Sequence, residues 1–357
     1  MSEPNNEFRG AMEVIAMAAA SPESPMCEFS QNQYLLKDLS DLLQEKRLPE
    51  VFVFSGGNNV DAAVAFSIPK GTWTPAPDLP ENRAGHKMAL IFGGQKYHMF
   101  AVGGSTCDHV SKDVLSLTVP TKLGEVEMAT MKTAEWKKMP DMKECRMYPG
   151  VGVVDGKIYV IGGWGGGPYL NTVEVFLVKE GKWIHSDDHL SDRVPRSTMT
   201  VPPPPMTTER GSMGVAVVGK RIFVIGGHNG TGYLSMVEVL DTQTNKWSAI
   251  PSMITARYRM GIAVVDDRFI WILGGGTFGV PTDLIEIFDV EEDEWIESPA
   301  KMPSPMLINS AFVICRKIFV VSEDRQIAVL DLDRMEWAKI APAEQPPFSH
   351  GFGVVAF

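Results

Sequence analysis

Seven histidines, four cysteines and several acidic pairs are the residues of this chain whose types could do chemistry. His185 and His189 stand four apart, a spacing that presents two imidazoles to one metal ion when the segment is a helix. The flanking residues do not read as helix, so no metal site is expected there. Asp187-Asp188 and Glu291-Glu292-Asp293 could share a proton or a cation, but both runs fall where solvated loop acids are expected. Gly162 to Gly167 is glycine-rich like a phosphate loop, yet lacks the Lys-Ser/Thr ending and the strand-to-helix context. Cys27, Cys107, Cys145 and Cys315 are far apart with no CxxC pair, which implies neither a zinc site nor a disulfide framework and fits a reducing compartment. Glu174, Glu238 and Glu286 recur at one position of a repeated strand. That recurrence assigns them to structure, pairing with repeat arginines or backbone, rather than to catalysis. No catalytic residue, metal or cofactor is therefore expected, and the chain reads as a non-enzyme.

The elements that would position these residues follow from the whole chain. Its 357 residues are 44% hydrophobic and 22% charged, enough to bury a large core. A net charge of −11 argues against a phosphate-binding surface, so nucleic acid is not an expected partner. No apolar run reaches the roughly 18–20 residues of a membrane helix, and the first ten residues lack the basic start of a secretory signal. A cytoplasmic protein, with the nucleus as the alternative, is the expectation.

Internal repetition dominates the sequence. The stretch Val215–Gly227 recurs as Val151–Gly163 and as Ile262–Gly275, each reading as two strands, a tight turn and a glycine pair. Weaker copies end at Gly56-Gly57 and Gly103-Gly104, and a sixth, at Lys317–Glu323, has lost its glycines. A third strand follows, then a tryptophan, and the count from second glycine to tryptophan is 20 in three units, at Trp183, Trp247 and Trp295. Arginine stands ten residues after Trp73, Trp136 and Trp247, with Pro305 and Pro347 read as taking that place later. One four-stranded meander cannot cover both its faces, whereas sheets stacked around an axis can. Trp73, Trp136, Trp183, Trp247, Trp295 and Trp337 are expected to fill the contacts between neighbouring blades. His350–Phe357 resembles the first strand of a unit, while the unit at Val51 starts with the second-strand pattern. The two ends are therefore expected to share one sheet.

On the glycine pairs, the Val-Glu strand and the tryptophan after a polar turn such as Asp241–Trp247, residues 51–357 resemble the kelch repeat family. Gly156–Gly163 followed by Leu170–Glu174 is most similar to the propellers of kelch-like substrate adaptors of ubiquitin ligases. The fifty residues ahead of Val51 are too few for the BTB and BACK domains of those adaptors. The resemblance implies an all-β, six-bladed kelch-type propeller, closed by pairing of the C-terminal strand with N-terminal strands. It also implies a protein-interaction scaffold, with substrate recognition in ubiquitin ligation as the finer expectation. Kelch enzymes of the oxidase or mutarotase kind and actin-binding kelch proteins are the alternatives.

Adaptors of that kind hold peptides at one mouth of the channel. The corresponding positions here are Asn58, Ser105, Trp164 and His228, just after the glycine pairs, and Tyr148, Ser212 and Arg259, two residues after the repeat arginines. Arg259 is the leading candidate: it suits an acidic or phosphorylated peptide, or else pairs with a loop carboxylate. Residues 1–50 form an extension in which Leu35, Leu36, Leu39, Leu42 and Leu43 fall on one face of a helix over 33–46. That helix either docks on the propeller or binds a partner. Insertions near 120–133 and 185–208 break the spacing, and the second holds Pro202 to Pro205, either a polyproline ligand or a stiff spacer.

Overall fold

The computed structural model describes residues 51–57, 60–67, 72–93, 96–120, 134–188, 201–298, 300–324, 326–340 and 353–356. The helix over 33–46, Asn58, Pro347, most of the first insertion and the middle of the second lie outside them. Among the described residues there are strands and turns and no helix, and no helix is long and apolar enough to cross a membrane.

The strands form six four-stranded antiparallel sheets arranged as a β-propeller. Five are contiguous blades. The remaining sheet is composite, in the order Gly353–Ala356, Val51–Gly57, Val60–Ser67, Thr72–Ala76. Phe52 to Ser55 pair antiparallel with Gly353 to Ala356, so both chain ends meet in one sheet. The innermost strands are Gly353–Ala356, Lys87–Gly93, Gly150–Val154, Gly214–Val218, Gly261–Val265 and Ile308–Ile314. Each neighbours the next around a closed ring.

Burial along the strands explains why the units do not stand alone. The innermost strands of three blades alternate buried and half-buried residues, since one side faces the channel. The second and third strands are buried almost continuously, as at Ile158–Ile161 and Val173–Leu177, because adjoining blades cover both faces. The apolar clusters accordingly run between sheets, as where Phe223 and Val239 pack with Ile270 and Phe288. At the outer strands Trp136, Trp183, Trp247 and Trp295 each donate Nε1–H to a carbonyl of the preceding linker: Pro77, Pro140, Pro204 and Pro251, at 2.7–3.0 Å. Pro204 belongs to the proline run. Pro202 and Pro203 are buried, and Asn245 Nδ2 donates to Pro202 O at 2.9 Å, which makes the described end of this insertion an inter-blade spacer.

The repeat arginines are fully buried, Arg83 included at 1% exposure. Arg146, Arg210 and Arg257 are 0% exposed. Nη1 of each donates to the first glycine of its blade, Gly162, Gly226 or Gly274, and to a second carbonyl, of Thr172, Met236 or Leu284. Nη2 reaches Glu174, Glu238 or Glu286. Those carboxylates also accept backbone N–H groups of the linker, including Lys143, Thr207 and Ile254. The arginine carbonyls accept from the second glycine of the preceding blade, Gly104, Gly163 or Gly227, at 2.7–2.8 Å. Glycine is required at these places: φ at Gly226 is +56°, and a Cβ there would lie 2.6 Å from Arg257 O.

One alignment made from spacing is corrected. The arginine position of the last contiguous blade is filled by Met306, not Pro305, because Gly275 N–H donates to Met306 O as Gly227 N–H does to Arg257 O. The linker after Trp295 carries one extra residue: Met302 occupies the place of Met253, seven rather than six positions after its tryptophan.

Removing a carboxylate from these clamps leaves a guanidinium buried without its counter-charge. Glu286→Ala is expected to cost about 3–5 kcal/mol in urea unfolding. A cost under about 1 kcal/mol would mean that water reaches Arg257 and that the clamp is not a desolvated ion pair.

Candidate functional site

The linkers entering successive blades line one mouth of the channel, and a relay of backbone hydrogen bonds from linker to linker fixes their geometry. Tyr148 N–H donates to Gly85 O, Ser212 to Tyr148, Arg259 to Ser212 and Ile308 to Arg259, at 2.7–3.0 Å. To make these bonds the backbone turns left-handed at Gly85, Tyr148, Ser212 and Arg259, with φ between 49° and 66°. For Tyr, Ser and Arg that conformation is strained, and it is held by the clamp arginine two residues upstream and by these hydrogen bonds.

After each glycine pair a second loop rises beside the first. Trp164 bridges Met147 and Tyr169, and His228 bridges Gly211 and Tyr233, so a residue and its fifth successor pair across a short loop. The two loop families enclose a cleft of about 390 Å³ lined by Met147, Tyr148, Trp164, Tyr169, Gly211, Ser212, His228, Tyr233, Tyr258 and Arg259. Five residues selected from sequence stand there together: Tyr148, Trp164, Ser212, His228 and Arg259. Ser105 holds the equivalent place in the preceding blade, outside this lining, with Oγ bonded to Thr106 O.

Tyr169, Tyr233 and Tyr258 were not selected from sequence. The five-residue spacing after Trp164 and His228, and adjacency to Arg257, are the signals that mark them. They form an aromatic wall. His228 lies 5.5 Å from Tyr169 and 5.1 Å from Tyr233 between ring centroids, and Tyr233 stacks on Tyr258 at 4.9 Å. Phe278, 87% exposed on the hairpin formed by Gly276–Thr277 and Val280–Pro281, meets Tyr233 edge-on. His228 Nδ1 accepts from Gly230 N–H at 3.0 Å, which leaves the other ring nitrogen as the donor of the neutral form.

Arg259 lies at the deep end of the cleft. Its guanidinium carbon sits 4.5 Å from the centre of the Tyr148 ring, a cation–π stack, and Nη1 donates to Glu323 Oε2 at 2.8 Å. The loop-carboxylate pairing is thus formed, while Arg259 Nε is buried with no hydrogen-bond partner. Burial pushes the Tyr148 hydroxyl up, with Arg259 opposing. Below the cleft, His86 is 1% exposed, and burial, then the charges of Arg83 and Lys87, lower its pKa to about 3. The imidazole is neutral and adds no charge to the mouth.

A second cluster stands at the rim of the blade that ends in Lys182–His185. Glu144, Glu174 and His185 present ligand atoms within 4.8 Å of one another. Arg146 donates to both carboxylates, at 2.7 Å to Glu144 and 3.2 Å to Glu174, and His185 Nε2 lies 3.0 Å from Glu144. A fixed guanidinium already engages both carboxylates, so the chemistry of the set suits an ion-pair network better than a divalent cation. His189 lies outside the described residues.

The model of the kelch motif matches residues 145–185 and 209–254. Among curated proteins, the kelch repeat and BTB domain-containing protein 2 of cowpox virus is 30% identical over 145 residues, 40% of this chain and 23% of the relative. Alpha-scruin of Limulus polyphemus is 26% identical over 251 residues, 65% of this chain and 24% of the relative. A putative F-box/kelch-repeat protein of Arabidopsis thaliana is 48% identical over 50 residues, 14% of this chain and 13% of the relative. The chain thus spans a quarter or less of the length of these relatives.

Protonation of a buried imidazole opposes folding. The unfolded chain takes up a proton at His86 as pH falls below its ordinary value of 6.5, whereas the folded protein resists until about 3. Stability from this residue is therefore complete above pH 6.5 and lost progressively between 6.5 and 3, at a limiting slope of about 1.4 kcal/mol per pH unit. Urea unfolding at pH 6.5 and 4.5 is expected to show a smaller drop in His86→Gln than in the parent. Equal drops would show that His86 is solvated.

Proposed function

We propose that this kelch-repeat protein is a non-catalytic interaction platform whose mouth cleft holds a segment of a partner protein. The observation that carries the reading is the asymmetry of the mouth. One region, and not the whole ring, combines the only arginine among the left-handed mouth positions described with a continuous wall of Tyr169, His228, Tyr233 and Tyr258. Rigid aromatics and arginine are the residue types that most often anchor protein interfaces. Arg259 is held on the hydrogen-bonded linkers and the aromatics on loops bridged to them, so little ordering has to accompany binding.

The partner segment is read as acidic or phosphorylated, with an apolar or aromatic neighbour. Arg259 would take the oxyanion, while Tyr233 and the exposed Phe278 and Val280 would take the neighbour. Trp164, Tyr148, Ser212 and His228 complete the contact set, Ser105 shares the loop family of Trp164 and His228, and Asn58 joins the set on its place after Gly56-Gly57 in the sequence. Kelch-repeat relatives that carry BTB or F-box names support extending the reading to substrate recognition in ubiquitin ligation, in the cytoplasm or nucleus.

Affinity capture from cell extract compares the full chain with a Trp164→Ala, Arg259→Ala double variant whose melting temperature is checked separately. A partner captured by the parent and lost by at least tenfold from the folded variant is the expected outcome. Equal capture by both would move the working surface away from the mouth. Co-capture of a ubiquitin-ligase subunit supports the extended reading, and its absence from a partner-loaded sample counts against it.

A further inference from the structure

The last contiguous blade departs from the repeat at several linked positions. Met306 replaces the arginine, Ala328 stands at the place of Glu286, and Ser322-Glu323 replaces the glycine pair. In the four preceding blades the second glycine excludes a side chain. A Cβ on Gly104, Gly163, Gly227 or Gly275 would lie 2.7–3.0 Å from a carbonyl of the mouth linker. Their φ values of 92° to 104° are equally hostile to an L-residue. Glu323 is absent from the left-handed region, and its N–H donates to Leu307 O at 2.9 Å, the bond that Trp164 and His228 make to their own linkers in earlier blades. By sheet register Glu323 stands where the second glycine stands in the preceding blade, so a position that is bare there carries a carboxylate here, and that carboxylate reaches Arg259 on the adjoining linker.

Beneath the aromatic cleft, Arg259, Glu323, Lys87, Asn309 and Ser212 border a cavity of about 20 Å³, room for one water-sized group. Lys87 donates Nζ to Asn309 O at 3.1 Å, and burial holds its pKa below the ordinary lysine value, with Glu323 opposing and Arg259 reinforcing. Two cations and one carboxylate thus face the same small space, and His86 beside them is neutral. Tyr148, Ser212 and Arg259 line both this cavity and the cleft above it. The Glu323 side chain is 11% exposed and that of Arg259 24%, so the pair is not sealed from solvent, and Arg259 itself lines the cleft.

We propose that Glu323 is an internal carboxylate occupying an oxyanion subsite of the mouth, and that a partner's carboxylate or phosphate displaces it to pair with Arg259 and Lys87. The proposal rests on the reading of the mouth as a partner-binding site and adds a resident competitor that sets its threshold. A group must outcompete a tethered carboxylate, so weak and singly placed acids are rejected while a well-positioned one is accepted. Lys87, on an inner strand and remote in sequence, becomes the second cation of the subsite.

The test is titration calorimetry of the full chain, Glu323→Gln and Glu323→Gln with Arg259→Met, using inorganic phosphate and N-acetyl-glutamate as probes. Glu323→Gln keeps the shape of the side chain and removes its charge; Glu323→Ala serves if the glutamine variant melts early. A gain of tenfold or more for at least one probe in the single variant, abolished by adding Arg259→Met, is expected. A gain for phosphate alone points to a phosphorylated segment, and a gain for the carboxylate alone points to an acidic one. No gain for either probe, or a gain that survives Arg259→Met, overturns the proposal. Partner capture that depends on Trp164 and Arg259 without any gain in Glu323→Gln would leave the platform reading standing and remove the internal ligand. A gain without any captured partner would do the reverse.

Discussion

The buried arginine clamp is the interaction on which the rest of this molecule depends. A propeller has to join separate sheets through linkers whose backbone is buried, and buried N–H and C=O groups need partners. Arg146, Arg210 and Arg257 each satisfy two carbonyls of their own blade, while their own carbonyls accept an N–H from the blade before. The charge this buries is balanced by Glu174, Glu238 and Glu286, and their remaining oxygen capacity goes to linker N–H groups. Glycine, arginine and glutamate are parts of one unit. Their simultaneous loss in the last contiguous blade follows from that coupling: without the guanidinium there is no charge for the glutamate to balance.

A clamp repeated around a ring also creates the mouth. Two residues beyond each clamp arginine the chain must turn left-handed to pass its carbonyl to the next blade, and the side chain at that turn is delivered to the rim of the channel. The fold thereby offers equivalent display positions, and specificity arises from what occupies them. Gly85 and Ser212 add little surface, whereas Tyr148 and Arg259 stack on one another and the neighbouring loops contribute Tyr169, Tyr233 and Tyr258. The same fold that enforces near-symmetry in the core leaves the rim free to vary, which is where binding function is expected on a scaffold of this kind.

Legibility differed between these layers for a physical reason. Spacings inside one blade are set by strand length and turn geometry, so Gly163 to Trp183 and Gly227 to Trp247 could be counted directly. The pairing of Glu174 with a repeat arginine was readable because both recur. Distances between blades were not readable in the same way. One extra linker residue after Trp295 shifted the arginine equivalence from Pro305 to Met306, and only the backbone hydrogen bond from Gly275 reveals it. Pro204 likewise looked like part of a ligand motif or spacer until its carbonyl was seen to receive the Trp247 indole.

By itself the sequence determined the repeat, the all-β propeller class, the meeting of the two chain ends in one sheet and the two loop families, one carrying Tyr148, Ser212 and Arg259 and the other Trp164 and His228. Those conclusions need only periodicity, because each repeat must bury its faces against a copy of itself. Tertiary structure alone decided that Arg259 meets Glu323, 64 residues away, that Lys87 shares their cavity, and that tyrosines from several loops stack into one wall. Contacts between blades join side chains with no fixed separation along the chain. No spacing rule encodes them, and closure of the ring is what brings Lys87 within reach of Asn309.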